Sequence, residues 1–99
     1  MFNILQSTQL SSNTFDFWLK APRIATHAQA GQFVILRIDE KGERIPLTLA
    51  ETNPQAGGIR IIFQVIGKTT AALSQLKTSD SLLDITGPCL LYTSDAADE

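Results

Sequence analysis

The feature that most constrains this chain is an apolar run that ends at a glycine and leads into hydroxyl residues. Residues 59–66 read Ile-Arg-Ile-Ile-Phe-Gln-Val-Ile, a composition typical of a strand that is largely covered on both faces. Gly67 ends the run, and Lys68-Thr69-Thr70 leads into the helix-favouring residues 71–76. A helix that starts after such a turn offers free N–H groups and the positive end of its dipole to an anion. The stretch predicts either an anion-binding turn or a plain strand–turn–helix with a threonine cap.

Turn residues divide the rest of the chain into short segments with the alternation of half-buried strands. Within residues 14–20, for example, Phe15, Phe17 and Leu19 share one face. Pro46 cannot donate a hydrogen bond to a neighbouring strand, so its segment is predicted to be an edge strand or to contain a bulge there. Together with residues 59–66, the predicted strands cover 2–10, 14–20, 32–38, 44–50 and 81–86, and residues 21–30 are predicted to form a loop.

The order of these segments favours an all-β fold. The connections are short, and the segments do not alternate with helices. We therefore predict a six-stranded antiparallel Greek-key barrel with one short helix between the fifth and sixth strands, filling residues 1–88 as one domain. From Cys89 the periodicity is lost, and residues 89–99 are predicted to be a non-native tail on a barrel cut from a longer subunit.

Composition and charge argue against several classes of function. A formal net charge of -2 offers no basic surface to nucleic acid or to an anionic membrane. The apolar runs are far shorter than the roughly 20 residues of a spanning helix, and the first residues do not resemble a signal peptide, so we expect a cytoplasmic protein. Cys89 and His27 each stand alone without ligands at metal-binding spacing, so no metal site is predicted.

The sequence Gly67-Lys68-Thr69-Thr70 imitates the end of a P-loop. A true P-loop needs a glycine five positions before Gly67, where this chain has Ile62. A true P-loop also lies in an alternating β/α pattern, which this chain lacks. Hydrolysis of ATP or GTP is therefore not expected.

Three motifs in this order carry a resemblance to a known family: Gly-Gln-Phe-Val at 31–34, Gly-Glu-Arg-Ile-Pro-Leu-Thr at 42–48, and the turn at 67–70. Together they resemble the FAD-binding barrel of the ferredoxin reductase-like family, over residues 1–88. Within it they look closest to the small flavin subunits of NADH-dependent ferredoxin:NADP oxidoreductase, also named sulfide dehydrogenase subunit beta. The dihydroorotate dehydrogenase electron-transfer subunit is a near relative of these.

The resemblance implies roles for the first group of residues. Pro46, Leu47 and Thr48 match the segment that lines the isoalloxazine ring, and Thr48 would bond the N5 edge of the flavin. Leu47 stands where the family has a stacking tyrosine, so stacking becomes aliphatic contact. The family's phosphate-binding arginine aligns with Ile45, and Arg44 lies one residue earlier.

The second group follows the rest of the cofactor. The resemblance places the ribityl and ribose part along Ile62, Phe63 and Gln64. It places the pyrophosphate at the turn formed by Gly67, Lys68, Thr69 and Thr70.

The implied function is electron relay through FAD between a nicotinamide nucleotide and iron–sulfur centres. The implied partners are an NAD(P)-binding domain of the same full-length subunit and a larger iron–sulfur/flavin subunit, with a [2Fe-2S] cluster only in the missing C-terminal part. The 99-residue chain is thus not expected to be a complete enzyme. The residues themselves leave an alternative from another class, a flavin-free barrel that acts as a binding or adaptor module, which flavin absorbance would distinguish.

Overall fold

The computed structural model describes residues 2–89 and shows seven strands and two short helices. In chain order they are β1 (Phe2–Gln9), β2 (Thr14–Lys20), α1 (Pro22–His27), β3 (Phe33–Arg37), β4 (Arg44–Asn53), β5 (Gly58–Gln64), α2 (Lys68–Ser74), β6 (Ser81–Leu82) and β7 (Asp84–Cys89).

The strands form one antiparallel sheet that curls into a nearly closed barrel, with the spatial order β6-β1-β2-β5-β4-β3-β7. Strands β3, β4 and β5 follow one another as hairpins, β5 lies between β4 and β2, and β7 returns beside β3. This is the Greek-key arrangement, in which a long connection returns the chain next to the first strand of a meander. The predicted all-β antiparallel barrel is confirmed.

Alternation along the strands builds the core, because successive side chains point to opposite faces of a sheet. Phe17 and Leu19 of β2 and Ile59 and Ile61 of β5 are fully buried. Phe63 continues this inner face and packs its ring on Phe15 (centroids 5.8 Å apart, stacked) and edge-on to Phe17 (5.1 Å). The rows paired across β2 and β5 therefore hold the barrel together by apolar burial.

The predicted sixth strand is in fact two strands, so the barrel has seven strands and not six. The chain breaks at Leu83, whose N–H turns aside to the carbonyl of Ile38 at 3.0 Å. Strand β7 then passes Gly87 and Pro88, where an end was predicted, and Cys89 pairs with Phe33 of β3. The other residues of the predicted tail lie outside the described part of the chain.

The loop predicted for residues 21–30 contains a second helix, α1. Pro22 stands at its start, where the missing N–H costs nothing, and Ile24 and Ala25 are buried. A helix of six residues is too short to show a period of 3.6, and its stability comes from packing against the barrel.

Strand β4 is an interior strand, which corrects the prediction of an edge at Pro46. It pairs with β3 along its first half, including Pro46 with Ile35, and with β5 along its second half. Its irregularity falls between Leu49 and Glu51, and not at the proline.

Candidate cofactor site

Strands β4 and β5 stop pairing part of the way along their length. Their ladder runs from Asn53–Gly58 to Leu49–Ile61, and within the described residues no further pair follows. We call the segments beyond it, residues 44–48 and 62–66, the β4–β5 gap. Each segment still has a sheet neighbour on its far side, β3 for the first and β2 for residues 62–64 of the second. The backbone edges that face the gap have no partner strand, and unpaired backbone N–H and C=O groups there can bond to a ligand.

The gap contains the residues that the resemblance singled out on two strands. Pro46 and Thr48 are exposed on β4, and Ile62 and Gln64 are exposed on β5. Thr48 and Ile62 are the residues that come directly after the last pair, Leu49–Ile61. The structure therefore brings four separately predicted residues to one opening in the sheet.

Leu47 and Phe63 alternate to the inner side of the same strands. Leu47 is half-buried and packs against the core, and Phe63 is 4% exposed. Their side chains support the gap from beneath, so any contact of these two positions with a ligand would come mainly from the backbone.

The turn at residues 67–70 is organised by the side chain of Thr70. Its Oγ1 accepts the N–H groups of Ile66 (2.9 Å) and Gly67 (3.0 Å) and donates to the carbonyl of Gly67 (3.1 Å). Thr70 is 7% exposed, so this hydroxyl is used inside the turn. It determines the shape of the turn and the entry into α2, in the manner of an N-terminal capping residue.

Gly67 has an extended backbone (φ -170°), and a Cβ added there would meet no atom within 4 Å. Its conformation therefore does not require glycine. What the glycine supplies is open space above the first N–H groups of α2, which have no acceptor within the helix.

A small cavity of about 300 Å³ connects the start of α2 with the turn between β3 and β4. Lys68 and Thr69 line one side, and Lys41 lines it from the turn together with the carboxylates Asp39 and Glu43. No local pattern in the sequence shows that the charged residues 39–43 lie against α2. Lys41 is thus a candidate binding residue that the sequence did not reveal.

Ile66 is a second residue that the sequence did not single out. It is 83% exposed and lies immediately before the turn, while Ile62 is 40% exposed nearby on β5. Isoleucines left open beside a set of unpaired backbone edges suit a ligand with a flat apolar part. The signal in the sequence was an isoleucine directly before Gly67.

Arg44 is paired with a carboxylate of the protein in this structure. Its Nη1 lies 3.1 Å from Oδ2 of Asp84 on β7, and both side chains are about half exposed (53% and 40%). A pair this exposed contributes at most about 1 kcal/mol. Arg44 could therefore exchange Asp84 for a ligand phosphate at little cost.

A second cavity, of about 580 Å³, shares no residue with the gap. It lies between α1 and the ends of β1 and β7, where Phe2, Ile24 and Pro88 line it. His27, predicted to be an isolated loop residue, is on this cavity's wall at the end of α1.

The described residues, 2–89, lack two kinds of feature. They contain no group of three or more His, Cys, Asp or Glu side chains placed to hold a metal ion. No helix in this part of the chain has both the length and the apolar character needed to span a membrane.

Comparison with known proteins points to the same chemistry. The family model for the oxidoreductase FAD-binding domain matches residues 1–93. The chain is 46% identical over 85 residues to a dihydroorotate dehydrogenase B (NAD(+)) electron transfer subunit homolog of Thermotoga maritima, covering 86% of this chain and 30% of that protein. It is 33% identical over 87 residues to the dihydroorotate dehydrogenase B (NAD(+)) electron transfer subunit of Streptococcus mutans, covering 86% and 33%.

Among solved structures, the chain superposes with a TM-score of 0.86 and 44% identity on the NADH-dependent reduced ferredoxin-NADP oxidoreductase studied for flavin-based electron bifurcation. The match covers 89% of this chain and 32% of that one. The chain thus spans about a third of the length of these relatives.

The residues of the gap fit an FAD. Its ring system has flat apolar faces and a polar edge, which exposed Ile62 and Ile66, the Thr48 hydroxyl and the unpaired backbone could meet. Its pyrophosphate is an anion, and the start of α2 offers N–H groups beside Lys68 and Lys41.

Proposed function

The chain belongs to the family of oxidoreductase FAD-binding domains, and from that premise we propose that it holds FAD in the β4–β5 gap as the flavin barrel of an electron-transfer subunit. The observation that carries this proposal is the end of the β4–β5 ladder at Leu49–Ile61. Beyond that pair, two backbone edges and four exposed side chains converge without a protein partner among the described pairs.

The two ends of the gap suit different parts of FAD, which implies an orientation for the bound cofactor. The ring would lie at the closed end, beside Pro46 and with its N5 edge at the hydroxyl of Thr48. Because Thr48 and Ile62 both follow the last β4–β5 pair, the ring would also cover Ile62, which the resemblance assigned to the ribityl part. The ribityl and ribose part would then follow Phe63 and Gln64 along β5. The pyrophosphate would then reach the start of α2, where the chain supplies N–H groups in the shape that Thr70 maintains.

When bound, FAD supplies the electron-transfer chemistry, and the protein supplies binding, orientation and electrostatics. Thr48 would hold a hydrogen bond at the edge of the ring where electrons and protons enter. Leu47 and Phe63 would keep both strands in place from the core side.

The activity of the full-length protein extends this proposal, because the chain matches only about a third of its relatives. We propose that the full subunit adds an NAD(P)-binding domain and a [2Fe-2S] cluster, and that it works in the cytoplasm with a larger iron–sulfur/flavin subunit. The names of the relatives, which mention NAD(+), NADH and ferredoxin-NADP, support a relay between a nicotinamide nucleotide and iron–sulfur centres.

A direct binding experiment tests the proposal. The purified 99-residue chain is titrated with FAD, FMN and riboflavin, with flavin fluorescence and absorbance as the readouts. We expect saturable binding of FAD and much weaker binding of riboflavin, which lacks the pyrophosphate for the α2 turn. A colourless chain that binds none of the three would overturn the proposal and favour the flavin-free adaptor module.

A further inference from the structure

A charged cluster lies at the closed end of the β4–β5 gap, on the outer face of three strands. Arg60 of β5 donates from Nε to both oxygens of Asp16 on β2 (3.0 and 3.1 Å) and from Nη2 to Oδ2 (2.6 Å). Its Nη1 donates to Oε1 of Glu51 on β4 at 3.1 Å. We call these three residues the Arg60 cluster.

The cluster carries one more negative than positive charge, since two carboxylates meet one guanidinium. Asp16 is 8% exposed, so its buried carboxylate needs the charge and the hydrogen bonds of Arg60. The hydrogen bonds that Arg60 donates to Asp16, and then to Glu51, raise the pKa of Arg60 above its ordinary value. Arg60 therefore stays charged, and the excess charge belongs to the carboxylates.

Register places this cluster beside the proposed ring site. Asp16 is the pairing partner of Ile62, the residue that opens the gap on β5. Glu51 pairs with Arg60, next to the last β4–β5 pair. Arg60 and Ile62 are two residues apart on one face of a strand, a spacing of about 7 Å. A ring laid over Ile62 with one edge at Thr48 would lie next to all three charged side chains.

We propose that the Arg60 cluster positions the flavin ring and lowers its reduction potential; this inference rests on the proposed function. Reduction brings two electrons to the ring, and the protons that follow need not balance both charges. Excess negative charge beside the ring therefore favours the oxidised form over the reduced form. Asp16 and part of Arg60 are shielded from water, and charges interact more strongly in such surroundings than in water.

A purely structural clamp is the competing explanation, because the same bonds join β2, β5 and β4. The two explanations differ in one measurable quantity. A clamp alters stability and leaves the ratio of the affinities for oxidised and reduced FAD unchanged. An electrostatic role alters that ratio, which determines how far the midpoint potential of the bound flavin is shifted from that of free FAD.

The decisive variant is Glu51→Gln. Glu51 is 55% exposed, and removing its charge leaves Asp16 paired with Arg60. We expect it to bind oxidised FAD within about twofold of the wild type. We expect reduced FAD to bind severalfold more tightly, and a tenfold change would raise the two-electron potential by about 30 mV. The potential is measured by anaerobic reductive titration against a reference dye.

Two further variants complete the experiment. Glu40→Gln removes a carboxylate from the exposed turn after β3 and should leave the potential unchanged. Arg60→Lys keeps the charge without the two-pronged bond to Asp16, so it should lower the melting temperature of the apo chain while changing the potential little.

The possible results distinguish a failure of this inference from a failure of the proposed function. A Glu51→Gln chain that binds FAD with the wild-type potential, or with a lower one, would overturn the inference and leave a structural clamp. Failure of the wild-type chain to bind FAD would instead overturn the proposed function itself.

Discussion

Thr48 has an exposed hydroxyl at the first position beyond the last β4–β5 pair. Replacing it by valine keeps its size and its preference for a strand and removes one hydrogen bond to the ring edge. Since such a bond contributes about 1 kcal/mol net, Thr48→Val should weaken FAD binding about fivefold. Isothermal titration with FAD measures this.

The matched control is Thr86→Val, because Thr86 is also exposed on a strand but lies on β7. It should bind FAD like the wild type. Equal affinity of all three proteins would remove Thr48 from the ring site.

Thr70 acts through the turn that it shapes, and its buried hydroxyl accepts two N–H groups. Thr70→Val leaves both without an acceptor, so we expect a loss of about 1 to 2 kcal/mol. For a domain of this size each kcal/mol lowers the melting temperature by roughly 4 to 8 °C. FAD affinity should fall as well, because the N–H groups of the turn lose their alignment.

Thr70→Ser keeps the hydroxyl and should recover most of both losses. Scanning calorimetry of the apo chain gives the stability, and fluorescence titration gives the affinity. A Thr70→Val chain with wild-type melting and weaker FAD binding would mean that the hydroxyl contacts the ligand directly.

These two threonines show how far residue types alone could lead. The resemblance grouped Thr48, Thr69 and Thr70 as ligand contacts, and all three are hydroxyl residues near an expected anion or ring. Only the fold shows that Thr70 faces inward, because its burial depends on how α2 packs against the barrel.

Strand β7 packs against β3 with little free space around Gly87. Gly87 has φ +146°, and a Cβ there would lie 3.0 Å from Cγ1 of Val34 and 3.3 Å from the carbonyl oxygen of Phe33. Gly87→Ala therefore combines backbone strain with a clash against a fully buried valine, at a cost of about 2 to 4 kcal/mol.

Gly31 provides the comparison, because it also has positive φ (+95°) but open space around its missing Cβ. Gly31→Ala should cost only about 1 kcal/mol, the strain alone. Urea denaturation of both variants measures the difference. Equal costs would show that β7 can move away from β3 to admit a methyl group.

Strands with clear alternation, such as β2 and β5, were predictable because an apolar residue at every second position indicates that one face is buried. The break at Leu83 and the helix α1 were not, since each depends on contacts with distant segments. The end of the β4–β5 ladder is of the same kind. Alternation predicts that residues 44–50 and 59–66 are strands, but it says nothing about where two strands stop pairing.

The 99-residue chain should bind flavin, but a nicotinamide nucleotide should not reduce the bound flavin efficiently. Rapid transfer needs the nicotinamide held against the ring in a reactive geometry, and such positioning supplies a large share of the rate. The chain spans about a third of relatives whose names include NAD(+). Mixed anaerobically with NADH or NADPH, the FAD-loaded chain should bleach no faster than free FAD.

Stopped-flow absorbance at the flavin band provides the measurement, with free FAD as the control. Rapid bleaching that saturates with NADH concentration would mean that the barrel itself contains a nicotinamide site. The charged turn at 39–43 and the cavity beside α1 would then be the first places to look for it.

The placement of β2 beside β5 also governs how the barrel forms. Thr14 pairs with Gln64 and Lys20 with Gly58, so this part of the sheet cannot assemble until a loop of about forty residues has closed. Closing such loops before their contacts can form slows folding, typically to milliseconds or longer for sheets of this kind. Refolding from urea should therefore be slow, and a variant weakened in the β2–β5 seam, such as Ile61→Val, should fold more slowly if that seam forms in the transition state.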